Sequence, residues 1–142
     1  MKGKIQFFTE ESIQYRIKHK QILKNWLSAS IASEGFTSGD ISIILCSDLE
    51  LLEMNKQYLN HDYYTDVITF DYTAEKLVSG DLYISLDRIL ENAKKRRLKT
   101  EDELHRIFVH GVLHLCGYQD KSKTHKEKMT QKEDEYLRKL PF

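Results

Sequence analysis

The sequence predicts a single α+β domain over residues 1–142, in which a mixed sheet of about four strands packs against about five helices. Two observations predict this class. Short β-branched segments alternate with longer segments whose apolar residues recur at helical spacing, in the order β-α-β-α-β-β-α-α-α. The length of 142 residues also suits one domain, and no internal repeat or linker divides it.

The first half of the chain carries two strand patterns and two helix patterns. Lys4–Phe8 and Ile41–Cys46 are predicted strands, and the second is rich in β-branched residues. Between them, the apolar spacing predicts a helix from Ile17 to about Glu34, which the stretch EGFTSGD ends. Ser47-Asp48-Leu49-Glu50 has the pattern of a capping box, so a second helix is expected to begin there.

The second half is predicted to contain two neighbouring strands and three helices. They are the strands Val67–Tyr72 and Gly80–Ser85, a helix from Asp87 into the basic run Lys94–Lys99, a helix from Thr100 to about Leu115, and a charged surface helix over Lys126–Leu140. Thr100 and Glu103 have the spacing of a second capping box.

Composition narrows the range of functions. Lys and Arg together number 22, as do Asp and Glu, so a protein that coats nucleic acid through bulk charge is disfavoured, while a local basic patch is not. No 18-residue apolar run predicts a transmembrane helix, and the N-terminus lacks the apolar core of a signal peptide, so a cytoplasmic protein without a membrane partner is expected. Cys46 and Cys116 lie in apolar runs and are predicted to be buried free thiols.

The stretch HGVLHLCGYQD, residues 110–120, predicts a metal site. On a helix, His110 and His114 lie one turn apart on the same face, so their imidazoles can share one cation. Gly117 is a predicted left-handed helix end that turns the chain back toward the histidines. The third ligand is then Asp120 or His125, and the shorter excursion favours Asp120.

This stretch, H-G-x-L-H-L-x-G-Y, resembles the signature of the YbeY family of bacterial ribosome-associated endoribonucleases. Residues 54–72, MNKQYLNHDYYTDVITFDY, and residues 80–85, GDLYIS, resemble two further blocks of that family in the same order and spacing. The resemblance implies a small α+β domain with one Zn²⁺ per chain, held by His110, His114 and the residue at position 120. It also implies hydrolysis of single-stranded RNA, rather than DNA, in maturation of the 16S ribosomal RNA 3′ end and in ribosome quality control, with the small ribosomal subunit and its factors as partners.

The chain departs from the family pattern at two positions. Asp120 stands where the family has its third histidine; a carboxylate can bind zinc, and we expect it to shift the preference toward harder metals such as Mn²⁺. Leu59 stands where the family usually carries an arginine that is thought to contact RNA, and leucine cannot replace that contact.

Two other functions compete with RNA hydrolysis. A non-catalytic zinc-bearing ribosome-associated factor is consistent with Leu59. A metalloprotease of the H-E-x-x-H type needs a glutamate beside the first histidine, where this chain has Gly111. For the nuclease itself, attack on phosphorus by water and attack by the RNA 2′-OH are both consistent with the sequence.

Several other residues have two interpretations each. Lys94–Lys99 suits contact with RNA phosphates or a solvated helix end. Four tyrosines suit base stacking or packing at the edge of the core; they are Tyr58, Tyr63, Tyr64 and Tyr72. Asp66 suits either a carboxylate that orients a ligand histidine or a hydrogen bond at the start of a strand.

Overall fold

Strands and helices follow one another along the chain in the predicted order. The computed structural model describes residues 3–60 and 65–142. The strands are β1 (Ile5–Thr9), β2 (Thr37–Cys46), β3 (Val67–Asp71) and β4 (Leu77–Ser85), and the helices are α1 (Lys20–Ser33), α2 (Asp48–Leu59), α3 (Leu86–Arg96), α4 (Thr100–Leu115) and α5 (Lys123–Leu137). Within these described parts of the chain, no helix is long and apolar enough to cross a membrane.

The four strands form one mixed sheet in the order β1-β2-β4-β3. β1, β2 and β4 are parallel, whereas β3 runs antiparallel to β4 at the edge. Parallel neighbours need crossover connections, which the intervening helices provide. The predicted class, a single α+β domain with a mixed sheet packed against helices, is confirmed.

Helix α4 lies at the centre of the fold. It packs with α1 against one face of the sheet, and α3 and α5 pack against its remaining sides. Helix α2 covers part of the opposite face through Leu51, which contacts Cys46 and Ile68. Gly111 lets α4 approach the sheet closely, since a Cβ atom there would lie 2.7 Å from Cδ1 of Leu82. The site on α4 is therefore held by contacts on several sides.

Strand β2 begins earlier than the sequence indicates. The stretch EGFTSGD ends α1 as predicted, but its residues Thr37–Asp40 already belong to β2. The pairing with β4 shifts register between Ser38 and Ile41. A bulge of this kind accommodates an extra residue in a strand, so a stretch with turn-forming residues can join the sheet.

One of the two predicted capping boxes forms. Ser47 Oγ accepts a hydrogen bond from the Glu50 backbone N–H at 3.1 Å, and the Glu50 carboxylate accepts one from the Ser47 N–H at 2.9 Å. The second prediction is wrong, because Lys99 is the N-cap of α4 and Thr100 is already helical. The Glu103 carboxylate instead accepts a hydrogen bond from Arg96 at 2.8 Å, since α3 passes beside this end of α4.

Helix α5 is more deeply integrated than its charged sequence suggests. Met129, Glu133 and Tyr136 are buried on the side that faces α4. The Trp26 indole donates a hydrogen bond to the Tyr136 carbonyl at 2.8 Å. The predicted surface helix therefore contributes one face to the core, where α4 supplies polar partners for its buried acid.

Both cysteines are free, as predicted. Cys46 is buried and Cys116 is half-buried. Burial, together with nearby carboxylates, raises the pKa of each thiol to about 12. The thiols are therefore protonated at neutral pH and do not serve as nucleophiles.

Candidate metal centre

Three side chains at the end of α4 bring their donor atoms together. The Nε2 atoms of His110 and His114 are 3.1 Å apart. Asp120 Oδ2 lies 3.3 Å from each of them. Within residues 3–60 and 65–142, this is the group of three or more His, Cys, Asp or Glu residues that is arranged to hold a metal ion.

The turn after α4 places Asp120 beside the histidines. Gly117 has a φ of 102°, a conformation that glycine adopts readily. The N–H groups of Gly117 and Tyr118 donate to the carbonyls of His114 and Leu113, both at 3.0 Å. This pair of bonds is a Schellman motif, which ends the helix and reverses the chain. The predicted helix end at Gly117 is confirmed.

Hydrogen bonds at the other ring nitrogens orient both histidines. His114 Nδ1 lies 2.9 Å from the Tyr118 carbonyl oxygen, which can only accept, so neutral His114 carries its proton on Nδ1. His110 Nδ1 lies 2.5 Å from a carboxylate oxygen of Glu133, which accepts in the same way. Both Nε2 lone pairs then face the same space, an arrangement that a shared cation would stabilise.

The donor triangle matches the size of a zinc ion. Its sides are 3.1, 3.3 and 3.3 Å. Ligands of tetrahedral zinc at bond lengths of about 2.0–2.1 Å are about 3.3 Å apart. Two imidazoles and one carboxylate are also a set of donors that zinc accepts at catalytic sites. The residues present therefore fit a zinc ion.

The surroundings of His110 are acidic. Burial lowers the pKa of its imidazole, but the hydrogen bond and charge of Glu133, with the charges of Asp120 and Asp66, outweigh burial and raise it overall. The same negative field that favours imidazolium favours a metal cation at Nε2.

Two of the three candidate donors, His110 and Asp120, line a cleft of about 350 Å³. Its lining combines the acidic site with cationic and polar side chains, and includes Asp66, Asn92, Arg96, Glu103, Arg106, His110, Asp120, Lys126, Thr130 and Glu133. The cleft therefore offers positive charge close to the candidate metal centre, although the net charge of the chain is zero.

Two other residues that the sequence singled out, His125 and Asp66, do not belong to this cluster of three donors. His125, the alternative third ligand, lies in the exposed first turn of α5, and its backbone N–H donates to Ser122 Oγ. Asp66 lines the cleft, and its carbonyl accepts the Ser85 N–H at 2.9 Å, which is a hydrogen bond at the start of a strand. The carboxylate that accepts the Nδ1 hydrogen bond of His110 belongs to Glu133.

Among the described residues, those considered for RNA contact do not form one surface around the candidate metal centre. Leu59 is the last residue of α2 and is 42% exposed. Tyr58 and Tyr72 are also exposed, and Tyr58 packs edge-on against Phe70. In the basic run, Arg96 reaches the cleft while bound to Glu103. His61, Tyr63 and Tyr64 lie outside the described residues.

Glu133 is the functional candidate that the sequence interpretation missed. It lies 23 residues after His110, on a helix that was predicted to be solvated. A signal was present, because Met129, Glu133 and Tyr136 lie on one face of a helix at spacings of four and three. An acid within such an apolar stripe indicates a buried carboxylate with a partner.

The fold and the site define a class of protein, an α+β domain in which two histidines of the central helix and an aspartate of the following turn could hold a metal ion beside a cleft. The sequence model of the family described as "Endoribonuclease YbeY" matches residues 4–141. The chain therefore belongs to the endoribonuclease YbeY family. As a member of that family it is a hydrolase, a nuclease whose substrate is RNA.

Individual relatives agree with this assignment. The endoribonuclease YbeY of Parabacteroides distasonis is 47% identical over 131 residues, 92% of each chain. The Flavobacterium psychrophilum protein of the same name is 48% identical over 126 residues, 89% of this chain and 90% of the relative. Among solved structures, the solution structure of TM1509 from Thermotoga maritima superposes with a TM-score of 0.67 at 28% identity, covering 96% of this chain and 88% of that one.

Proposed function

We propose that residues 1–142 form one zinc-dependent, single-strand-specific endoribonuclease domain that acts in the cytoplasm on the 3′ end of 16S ribosomal RNA and in ribosome quality control. One Zn²⁺ per chain is held by His110, His114 and Asp120. The observation that carries the proposal is the convergence of these three donors, within 4.8 Å of one another, in a member of the endoribonuclease YbeY family. The ribosomal substrate and the association with the small subunit rest on the family resemblance.

The metal ion and the residues that hold it have different roles in the proposed reaction. Zinc, when bound, supplies a Lewis acid that polarises a phosphate oxygen and lowers the pKa of water. His110 and His114 present neutral Nε2 atoms, because Glu133 and the Tyr118 carbonyl hold the Nδ1 protons. Either water or the RNA 2′-OH can act as the nucleophile in this arrangement.

The cleft supports a single-stranded substrate. Its volume of about 350 Å³ is at the lower end of the range for ligand pockets, about 300–1,000 Å³. It therefore suits one nucleotide unit rather than a duplex. Arg96 and Lys126 line it and can neutralise phosphates near the site, a contribution that Leu59 cannot make.

A non-catalytic zinc-bearing ribosome factor is the second candidate, and Leu59 favours it. The metalloprotease alternative is opposed by the structure. Position 111, where such enzymes need glutamate, faces the sheet so closely that a Cβ atom would meet the side chain of Leu82.

Metal removal tests the proposed function. We expect the purified chain to cleave a single-stranded RNA segment from the 16S 3′ end, and to leave the same segment intact when it is paired with its complement. Chelation should abolish cleavage and added Zn²⁺ should restore it, because the donors at the cleft then regain their ion. Cleavage that survives complete metal removal would contradict the proposal.

Replacing Asp120 by histidine should change which metal is preferred. The carboxylate favours harder ions, so we expect Asp120→His to raise the affinity for Zn²⁺ relative to Mn²⁺ by roughly tenfold. Competition measurements with both ions check this. Gln119→His, which adds an imidazole one position earlier in the turn, is the matched control and should leave the ratio unchanged. An Asp120→His variant with the wild-type ratio would refute the expected role of the carboxylate.

A further inference from the structure

We infer that Glu133 is a positioning residue for the metal site, and that Arg106 holds it in place. The inference rests on the proposed function, since it assumes that His110 binds a metal ion. It assigns a role to α5, which contributes none of the three donors. Glu133 touches the ligand histidine and acts through it.

Both oxygens of the Glu133 carboxylate are engaged. Oε2 lies 2.5 Å from His110 Nδ1, and Oε1 accepts a hydrogen bond from Arg106 Nη1 at 2.7 Å. The side chain of Glu133 is only 7% exposed, so these contacts are largely shielded from water. A charge-assisted hydrogen bond in such surroundings is strong and fixes the direction of its partner. The carboxylate therefore sets the plane of the His110 ring.

Arg106 is anchored independently of the histidine. Its second amino group, Nη2, donates to Asp134 Oδ1 at 2.6 Å. Arg106 and His110 are four residues apart on α4, so they lie on the same face, opposite α5. The guanidinium thus bridges two adjacent acids of α5 and locks Glu133 against that face.

The chemical consequence concerns Nε2 of His110. A carboxylate that accepts the Nδ1 proton fixes the tautomer and makes Nε2 a stronger donor to a cation. His114 has only a neutral carbonyl at the corresponding position. Glu133 therefore supplies the negative charge behind His110. A role limited to neutralising Arg106 would leave metal affinity unaffected.

The test is the Zn²⁺ affinity of Glu133→Gln in the full chain, measured by competition with a chromogenic chelator. Glutamine keeps the volume and one acceptor oxygen but removes the charge. We expect Zn²⁺ to bind about 10–100-fold more weakly, the range seen when such partners are removed. The absorption spectrum of bound Co²⁺ should also change, since it reports the ligand field directly. Wild-type affinity in Glu133→Gln would overturn the inference.

Controls separate a positioning role from a structural one. Glu127→Gln removes an exposed carboxylate from the same helix and leaves Glu133 and Arg106 intact, so its Zn²⁺ affinity should stay near that of the wild type. Should Glu133→Gln fail to fold, Arg106→Gln takes its place, and we expect weaker Zn²⁺ binding there as well; unchanged affinity would overturn the inference. A wild-type chain that does not bind Zn²⁺ would refute the proposed metal site itself, whereas failure of Glu133→Gln alone leaves that site standing.

Discussion

RNA cleavage should fall by roughly a thousandfold or more when His114 is replaced by alanine, because removing one of the three proposed donors disables the proposed metal site. His114 contacts both other donors, through His110 Nε2 and Asp120 Oδ2. Its side chain is 25% exposed, so the substitution removes little of the core. The measurement compares cleavage of a single-stranded ribosomal RNA fragment by both proteins, purified identically.

His125→Ala is the matched control for His114→Ala. It removes a histidine from the exposed first turn of α5 and should cleave at the wild-type rate. Equal cleavage by the wild type and His114→Ala would point to a contaminating nuclease and contradict the assignment. If the wild type and His114→Ala are both inactive, the result would favour a zinc-bearing binding factor, or an enzyme that needs the assembled ribosome.

The free energy of unfolding should drop by about 3–5 kcal/mol when Phe108 is replaced by alanine. Phe108 lies on α4, is fully buried, and packs against Phe7 with ring centroids 5.2 Å apart. Alanine would leave a cavity at the centre of the fold, which the surrounding sheet and helices cannot close. Since a domain is stable by only about 5–15 kcal/mol, the variant should unfold at a much lower urea concentration.

Phe8→Ala is the control for this cavity. Phe8 follows Phe7 in β1 and is 47% exposed. Its replacement should therefore change the free energy of unfolding by no more than about 0.5 kcal/mol. Similar urea midpoints for Phe108→Ala and Phe8→Ala would contradict the central position of α4 in the core.

The convergence of His110, His114 and Asp120 was predictable because it depends on local rules. The spacing of His110 and His114 places both on one helix face, and Gly117 ends that helix in a way that returns the chain within three residues. Asp120 follows from the same turn. Each of these relations spans six residues or fewer, so sequence and backbone geometry suffice to predict it.

The second capping box and the surface assignment of α5 failed for a different reason. Both depend on what lies beside the helix rather than on the helix itself. Glu103 pairs with Arg96 because α3 passes nearby, and Glu133 is buried because α4 presents Arg106 and His110 to it. A local sequence pattern reflects the preference of a residue for a helix cap or for the surface. It does not show which residue of another helix will pair with it in the folded protein.

The sequence by itself thus determined the order of strands and helices, the mixed α+β class, and the candidate donors His110, His114 and Asp120. The tertiary structure alone decided the strand order β1-β2-β4-β3, the central position of α4, and the bond from Glu133 to His110. The physical reason is the range of the interactions. Hydrogen bonds within a helix or turn are specified by adjacent residues, whereas the partner of a buried charge 23 residues away is specified only once the helices have packed.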